Sequence, residues 1–184
     1  MAAESGGGVT GAAATETTGV SKALWAGPVA AGVWVLDLFT KWLVQRSFRP
    51  HESVEVWGDF FRLTYIFNPG AVFGFHVGPN SRYIFLALSV VALGVLVLMY
   101  RQTPPERRGR LIAIGAIAGG ALGNIVDRIR SPEGVVDFLD FGIGQLRWPV
   151  FNVADIAVTL GAVLLFLSFW SEDRRVRAGE PERT

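Results

Sequence analysis

The sequence predicts a membrane all-α fold: four transmembrane helices with a small extracytoplasmic β-hairpin or sheet in the first outer loop. Three observations predict it. Of the 184 residues 51% are hydrophobic and the mean hydropathy is +0.38, too apolar for an ordinary soluble domain. Four segments, approximately 24–45, 83–100, 111–128 and 151–170, come close to the roughly 20 apolar residues that a bilayer core requires. The densest arginines fall in alternate connections. They are Arg101, Arg107, Arg108 and Arg110 between the second and third segments, and Arg174, Arg175, Arg177 and Arg183 after the fourth. The positive-inside rule puts both groups, and both termini, in the cytoplasm.

Taken in order, residues 1–20 are rich in Gly, Ala and Thr without apolar periodicity, and are expected to form a disordered tail. A cleaved signal peptide is not expected there, because a positive region directly before an apolar run is missing at the start of the chain. Residues 21–170 are expected to form the membrane domain and 171–184 a basic cytoplasmic tail. The first helix carries Asp37 and Lys41 at an i,i+4 spacing, which suits mutual neutralisation at depth. In SVEVWGDFFRLTYIF the alternation of Val54 and Val56, then Phe61, Leu63 and Tyr65, around Gly58-Asp59 predicts a hairpin that rests on the helices or the membrane surface. Asn68-Pro69-Gly70 follows, as a turn or as a substrate contact. The second helix, YIFLALSVVALGVLVLMY, is uncharged.

In the third helix Gly115, Gly119 and Gly123 recur every four residues and lead to Asp127, while Gly120, Asn124 and Arg128 form the neighbouring row. Such a ridge lets another helix approach closely. Asp127-Arg128 suits either an ion pair at the helix end or support for chemistry. Asp137 and Asp140 are expected in the outer loop before the fourth helix. That helix opens with Asn152, Asp155 and Thr159 on one face. The ionisable groups near the spans thus gather at the outer end.

Composition excludes several function classes. Without cysteine there is no disulfide, thiolate metal site, cysteine nucleophile or lipid carried on cysteine. A net charge of +1 gives no basic surplus for nucleic acid. His51 and His76 lie apart from any ligand cluster, so no metal or other cofactor is expected. Ser81 and Ser89 lack a Lys or His at helical spacing to activate them. Carboxylates remain. Two aspartates in one low-dielectric site cannot both ionise cheaply, so one retains a proton while the other draws a proton from water.

These motifs in order resemble the lipoprotein signal peptidase family, signal peptidase II, over approximately residues 24–170. The resemblance rests on Asp37-x-x-x-Lys41, Asn68-Pro-Gly70-Ala-Val-Phe73-Gly74, Gly119-Gly120-x-x-Gly123-Asn124-x-x-Asp127-Arg128, Val136-Asp137-Phe138 and Phe151-Asn152-x-Ala154-Asp155. It implies an aspartyl endopeptidase of the bacterial inner membrane, active on the extracytoplasmic side. Its substrates would be prolipoproteins, cut just before a diacylglyceryl-modified cysteine, and its other partners membrane lipids. A monomer is expected. The implied catalytic pair is Asp137 and Asp155, with Asn68, Gly70, Asn124, Arg128, Asn152, Asp127, Asp37 and Lys41 binding substrate or supporting the pair. Asp140, three residues from Asp137, is the alternative partner. The loop from Phe73 to Phe75 is a candidate cover for the site.

Two rival expectations come from the same residues. A small ion- or proton-coupled transporter would use Asp37, Lys41 and Asp155 as a relay, but a relay should cross the membrane, and these groups sit on one side of it. A scaffold binding partner helices through the glycine ridge leaves the gathered aspartates and asparagines without a purpose.

Overall fold

The computed structural model describes residues 10–70, 78 and 80–177. In chain order the elements are α1 (Thr10–Ser47), β1 (Ser53–Trp57), β2 (Phe61–Asn68), α2 (Ser81–Gln102), α3 (Arg108–Arg130), β3 (Val135–Ile143), β4 (Leu146–Arg147) and α4 (Val153–Arg177). Each helix contains a stretch long and apolar enough to cross a membrane: Lys22–Ser47, Ser81–Gln102, Arg108–Arg130 and Val153–Arg174. The α1 backbone begins at Thr10, inside the segment expected as a disordered tail. Residues 1–9 and 178–184 lie outside the described residues.

The third helix is the hub. Half of its span is buried, against 11% for α1, 6% for α2 and 17% for α4. Its glycines explain why, and they sort into two seats rather than one ridge. A Cβ on Gly115, Gly119 or Gly123 would collide with α1 at Ala26, Ala30 and Asp37 respectively, whereas one on Gly120 would collide with Ala154 of α4. Two rows of small residues therefore let two helices close on α3 at backbone distance. At the arginine-rich end, the buried guanidinium of Arg110 bonds Glu172 and lies 4.1 Å over the Phe169 ring, clasping the start of α3 to the end of α4.

The β structure is larger than a hairpin. Four strands form an antiparallel sheet in the order β1-β2-β3-β4. Strand β2 pairs with β3 so that Ile66 faces Asp137 and Asn68 faces Val135, which joins the α1–α2 connection to the α3–α4 connection. Sequence reading took 135–143 for a loop because Val135, Val136, Asp137 and Phe138 are all buried, which removes the two-residue alternation that marks a half-exposed strand. Val44 at the end of α1 packs with Tyr65, Val136 and Phe138 to seat the sheet on the bundle.

Substituting Gly123→Ala should destabilise the protein by about 1–3 kcal/mol through overpacking against the Asp37 carboxylate. Gly94→Ala, on an open face of α2, should be neutral or slightly stabilising. Thermal unfolding in detergent checks this: Tm should fall only for Gly123→Ala, and equal Tm values would contradict the seat assigned to Gly123.

Candidate active site

Three of the four helices present their polar ends to one another, α1 and α3 by their C-terminal ends and α4 by its N-terminal turn. Asn152 precedes the first turn of α4 and acts as its N-cap. Its Oδ1 accepts from the Asp155 backbone N–H at 3.0 Å, and Asp155 Oδ2 accepts in return from the Asn152 N–H at 3.1 Å. This reciprocal cap satisfies two backbone donors and fixes both side chains. The next donor, Ala154 N–H, goes to Asp37 Oδ1 at 2.9 Å, so a carboxylate of α1 also caps α4.

With its oxygen engaged in the cap, Asn152 turns its Nδ2 toward Asp137 Oδ1, 2.7 Å away. The other Asp137 oxygen accepts from Asn68 Nδ2 at 2.9 Å. Asn68 is itself oriented, because its Oδ1 accepts from the Gly70 N–H at 3.0 Å. Gly70 has φ +121° and lies where a Cβ would strike Phe85 and the Ser81 backbone, so only glycine fits this turn without strain. Asp137 is 1% exposed. Burial, reinforced by the nearby negative charge of Asp155, pushes its carboxyl up to about 7.

Asp155 Oδ1 accepts from Asn124 Nδ2 at 2.9 Å. Lys41 dictates that orientation: its ammonium donates to Asn124 Oδ1 at 3.0 Å, and an ammonium has only donors to offer. The same ammonium pairs with Asp37 and Asp127, each at 2.8 Å. The expected Asp37–Lys41 pair is therefore part of a triad across α1 and α3.

Several expectations need correction. Asp127 pairs with Lys41 and accepts from Val136 N–H at 3.3 Å, so it does not form the expected ion pair with Arg128. Consecutive helical residues project in different directions, and Arg128 turns away to lie 5.8 Å over the Phe85 ring. It donates to the Asn124 carbonyl at 3.3 Å, and its buried Nε has no hydrogen-bond partner among the described residues. Thr159 is exposed and does not share the site with Asn152 and Asp155. Asp140, buried at the other end of the β3 pairing, is held by Arg147 and Thr64, each at 2.7 Å. An offset of three along a strand turns it to the face opposite Asp137. His51 is an exposed residue of the α1–β1 turn with φ +68°. Phe73, Phe75 and His76 lie outside the described residues.

Sequence reasoning missed Thr64, Arg147 and Phe85, whose roles depend on strand register and helix proximity. It also missed Arg82, whose Nε donates to the Arg128 carbonyl at 2.6 Å and caps the end of α3.

Four apolar helices with buried carboxylates gathered at one end of the bundle define a multi-pass membrane protein with a polar site. Residues 29–171 match the family described as signal peptidase (SPase) II, and the chain belongs to that family of peptidases. It is 41% identical over 133 residues to the lipoprotein signal peptidase of Moorella thermoacetica, covering 72% of this chain and 84% of that one. It is 46% identical over 148 residues to the lipoprotein signal peptidase of Cupriavidus taiwanensis, covering 79% and 80%. Two solved structures described as bacterial membrane enzymes, determined by the in meso method, share the fold. One has a TM-score of 0.72 at 25% identity over 90% of this chain and 94% of that one; the other has 0.68 at 29% over 82% and 92%.

The raised Asp137 carboxyl carries a stability consequence. The folded protein keeps that proton to about pH 7 while an unfolded chain releases it near 3.8, a gap equivalent to on the order of 4 kcal/mol. Between those values the folded state binds more protons, so this contribution is full below the lower value and is lost as pH rises through the upper one. The Tm in detergent should be higher at pH 5 than at pH 8, and Asp137→Asn should remove most of that difference. An identical pH dependence in both proteins would contradict the assignment.

Proposed function

We propose that the protein cleaves signal peptides from prolipoproteins just before a diacylglyceryl-modified cysteine, using Asp137 and Asp155 to activate water. The observation that carries this reading is the bridging of the two carboxylates by one residue. Asn152 donates its side-chain amide to Asp137 and its backbone N–H to Asp155.

The two carboxylates differ in a way that suggests a division of labour. Asp155, part-exposed and receiving one donor on each oxygen, is the member placed to act as the base. Asp137, enclosed and facing a second negative charge, holds the shared proton near neutrality. Asp155 draws a proton from water, and the water oxygen adds to the scissile carbonyl as Asp137 donates its proton to the carbonyl oxygen. The result is a neutral tetrahedral diol with no covalent enzyme intermediate. Its collapse passes the proton on Asp155 to the departing amide nitrogen and returns the hydroxyl proton to Asp137, so the pair regains its starting state. Arg128, with a buried Nε to spare, is the side chain best suited to grip the substrate backbone. Lys41, Asp37, Asp127, Asn124 and Asn68 act as positioning residues.

A site at the mouth of a bundle suits a lipidated substrate, whose acyl chains stay in the bilayer while the peptide bond enters the polar cavity. The arginine-rich helix ends lie at the far end of the bundle, which supports an extracytoplasmic site by the positive-inside rule.

Cleavage of a diacylglyceryl-modified prolipoprotein by the purified protein in detergent tests the reading. Asp137→Asn and Asp155→Asn should each lower kcat by roughly 10²-fold or more, while Asp140→Asn keeps turnover within a few-fold. No cleavage by the wild type, or near-normal turnover by either of the first two variants, would refute it.

A further inference from the structure

At the end of the bundle away from the aspartates, α1 and α2 both pack on α3 and leave a groove between them. It encloses a cavity of about 230 Å³. Small side chains make it: Ala23, Gly27 and Ala30 of α1 form one wall, with Gly115 and Ala118 of α3 as the floor. Leu96, Val97 and Tyr100 of α2 stand opposite. The seven residue steps from Ala23 to Ala30 give the wall a length of about 10 Å. The floor ends short of the polar site, since Ala118 and Asn124 are separated by about 9 Å of helix.

Basic residues flank this groove at the arginine-rich end of the bundle. Lys22 Nζ donates to the Arg101 carbonyl at 3.1 Å, tying α1 to the end of α2 across the opening. The Arg108 guanidinium lies 4.8 Å over the Trp25 ring of α1. Among the described residues, Lys22, Arg101 and Arg108 have no carboxylate partner. Arg107 and Arg110, at the same membrane boundary, are instead paired with Glu172. Glu172 thus neutralises the cations facing α4, Arg108 lies on the α1 face opposite Ala23 and Gly27, and Lys22 and Arg101 flank the α1–α2 groove, with the exposed Glu106 the further acid of the α2–α3 connection.

An apolar slot with an unpaired cationic rim is complementary to one kind of molecule, an acyl chain with an anionic head. We propose that this groove is a binding site for an anionic phospholipid of the leaflet at the arginine-rich end of the bundle. One acyl chain lies against Ala23, Gly27 and Ala118, and the phosphate is held by Lys22 and Arg101. The site is separate from the peptidase centre and does not rest on the aspartate mechanism.

Native mass spectrometry of the purified full chain in detergent tests this by titration with dioleoyl phosphatidylglycerol, dioleoyl phosphatidylcholine and glycerol phosphate. The phosphatidylglycerol adduct should form at least tenfold more tightly than the phosphatidylcholine adduct, and glycerol phosphate should not bind measurably. Lys22→Gln and Arg101→Gln should each weaken phosphatidylglycerol about fivefold, from about 1 kcal/mol per surface cation, and leave phosphatidylcholine unchanged. Ala23→Leu, which fills the slot from an exposed helix position, should weaken both lipids. Equal affinity for the two lipids, charge variants that bind like the wild type, or glycerol phosphate binding as tightly as the phospholipid would each overturn the proposal. So would displacement of the lipid by a second copy of the chain as concentration rises.

Discussion

The ammonium of Lys41 is the interaction on which the rest of the polar architecture depends. It is 2% exposed toward the end of a membrane helix, donates a hydrogen bond to Asn124, and lies 2.8 Å from a carboxylate oxygen of both Asp37 and Asp127. A bilayer supplies no water to compensate a stray charge, so the group persists only as a fully partnered unit. Its partners carry the constraint outward. Asp37 caps α4 through Ala154, Asp127 receives the backbone of β3 at Val136, and Asn124 presents its amide to Asp155. One buried cation thereby fixes α1, α3, α4 and the sheet relative to one another. Removing one partner of such a group typically costs 3–5 kcal/mol, because it strands the remaining charges.

That chain of constraints also makes the two aspartates unequal. Each asparagine has its oxygen claimed by a donor: Asn124 by Lys41, Asn152 by the Asp155 N–H, and Asn68 by the Gly70 N–H. Each therefore has to turn its NH2 toward a carboxylate. The orientations follow from the donor and acceptor inventory alone. Asp155 is served in the first turn of α4 with part of its surface accessible, whereas Asp137 is enclosed on β3 and pays for its burial by keeping a proton. Under the proposed mechanism this asymmetry, established before substrate arrives, is what distinguishes the base from the acid.

The helices were legible because a long apolar run leaves few alternatives in a bilayer, and the glycine spacing of α3 foretold close packing. Periodicity did not reveal that Gly115, Gly119 and Gly123 seat α1 while Gly120 seats α4, since both rows lie within one helical stripe. The residues that gather around Asp137 and Asp155 were legible as a set from their shared depth, but their pairings were not. Asp127 beside Arg128 suggests an ion pair in sequence, and only the approach of α1 shows that Lys41 claims the aspartate. Asp140 could be separated from Asp137 only once strand register placed it against Arg147 and Thr64. Strand β3 escaped notice because both of its faces are covered, and the fully exposed edge strand β1 shows the opposite extreme on the same sheet.

The most direct test is infrared difference spectroscopy of the detergent-solubilised protein, following the carbonyl band of a protonated carboxyl as pH is raised from 5 to 9. The predicted band titrates near pH 7, disappears in Asp137→Asn, and in Asp155→Asn shifts its midpoint to lower pH because the neighbouring negative charge is gone. A band that survives unchanged in Asp137→Asn, or a wild type with no protonated carboxyl at pH 6, would contradict a shared proton held at Asp137.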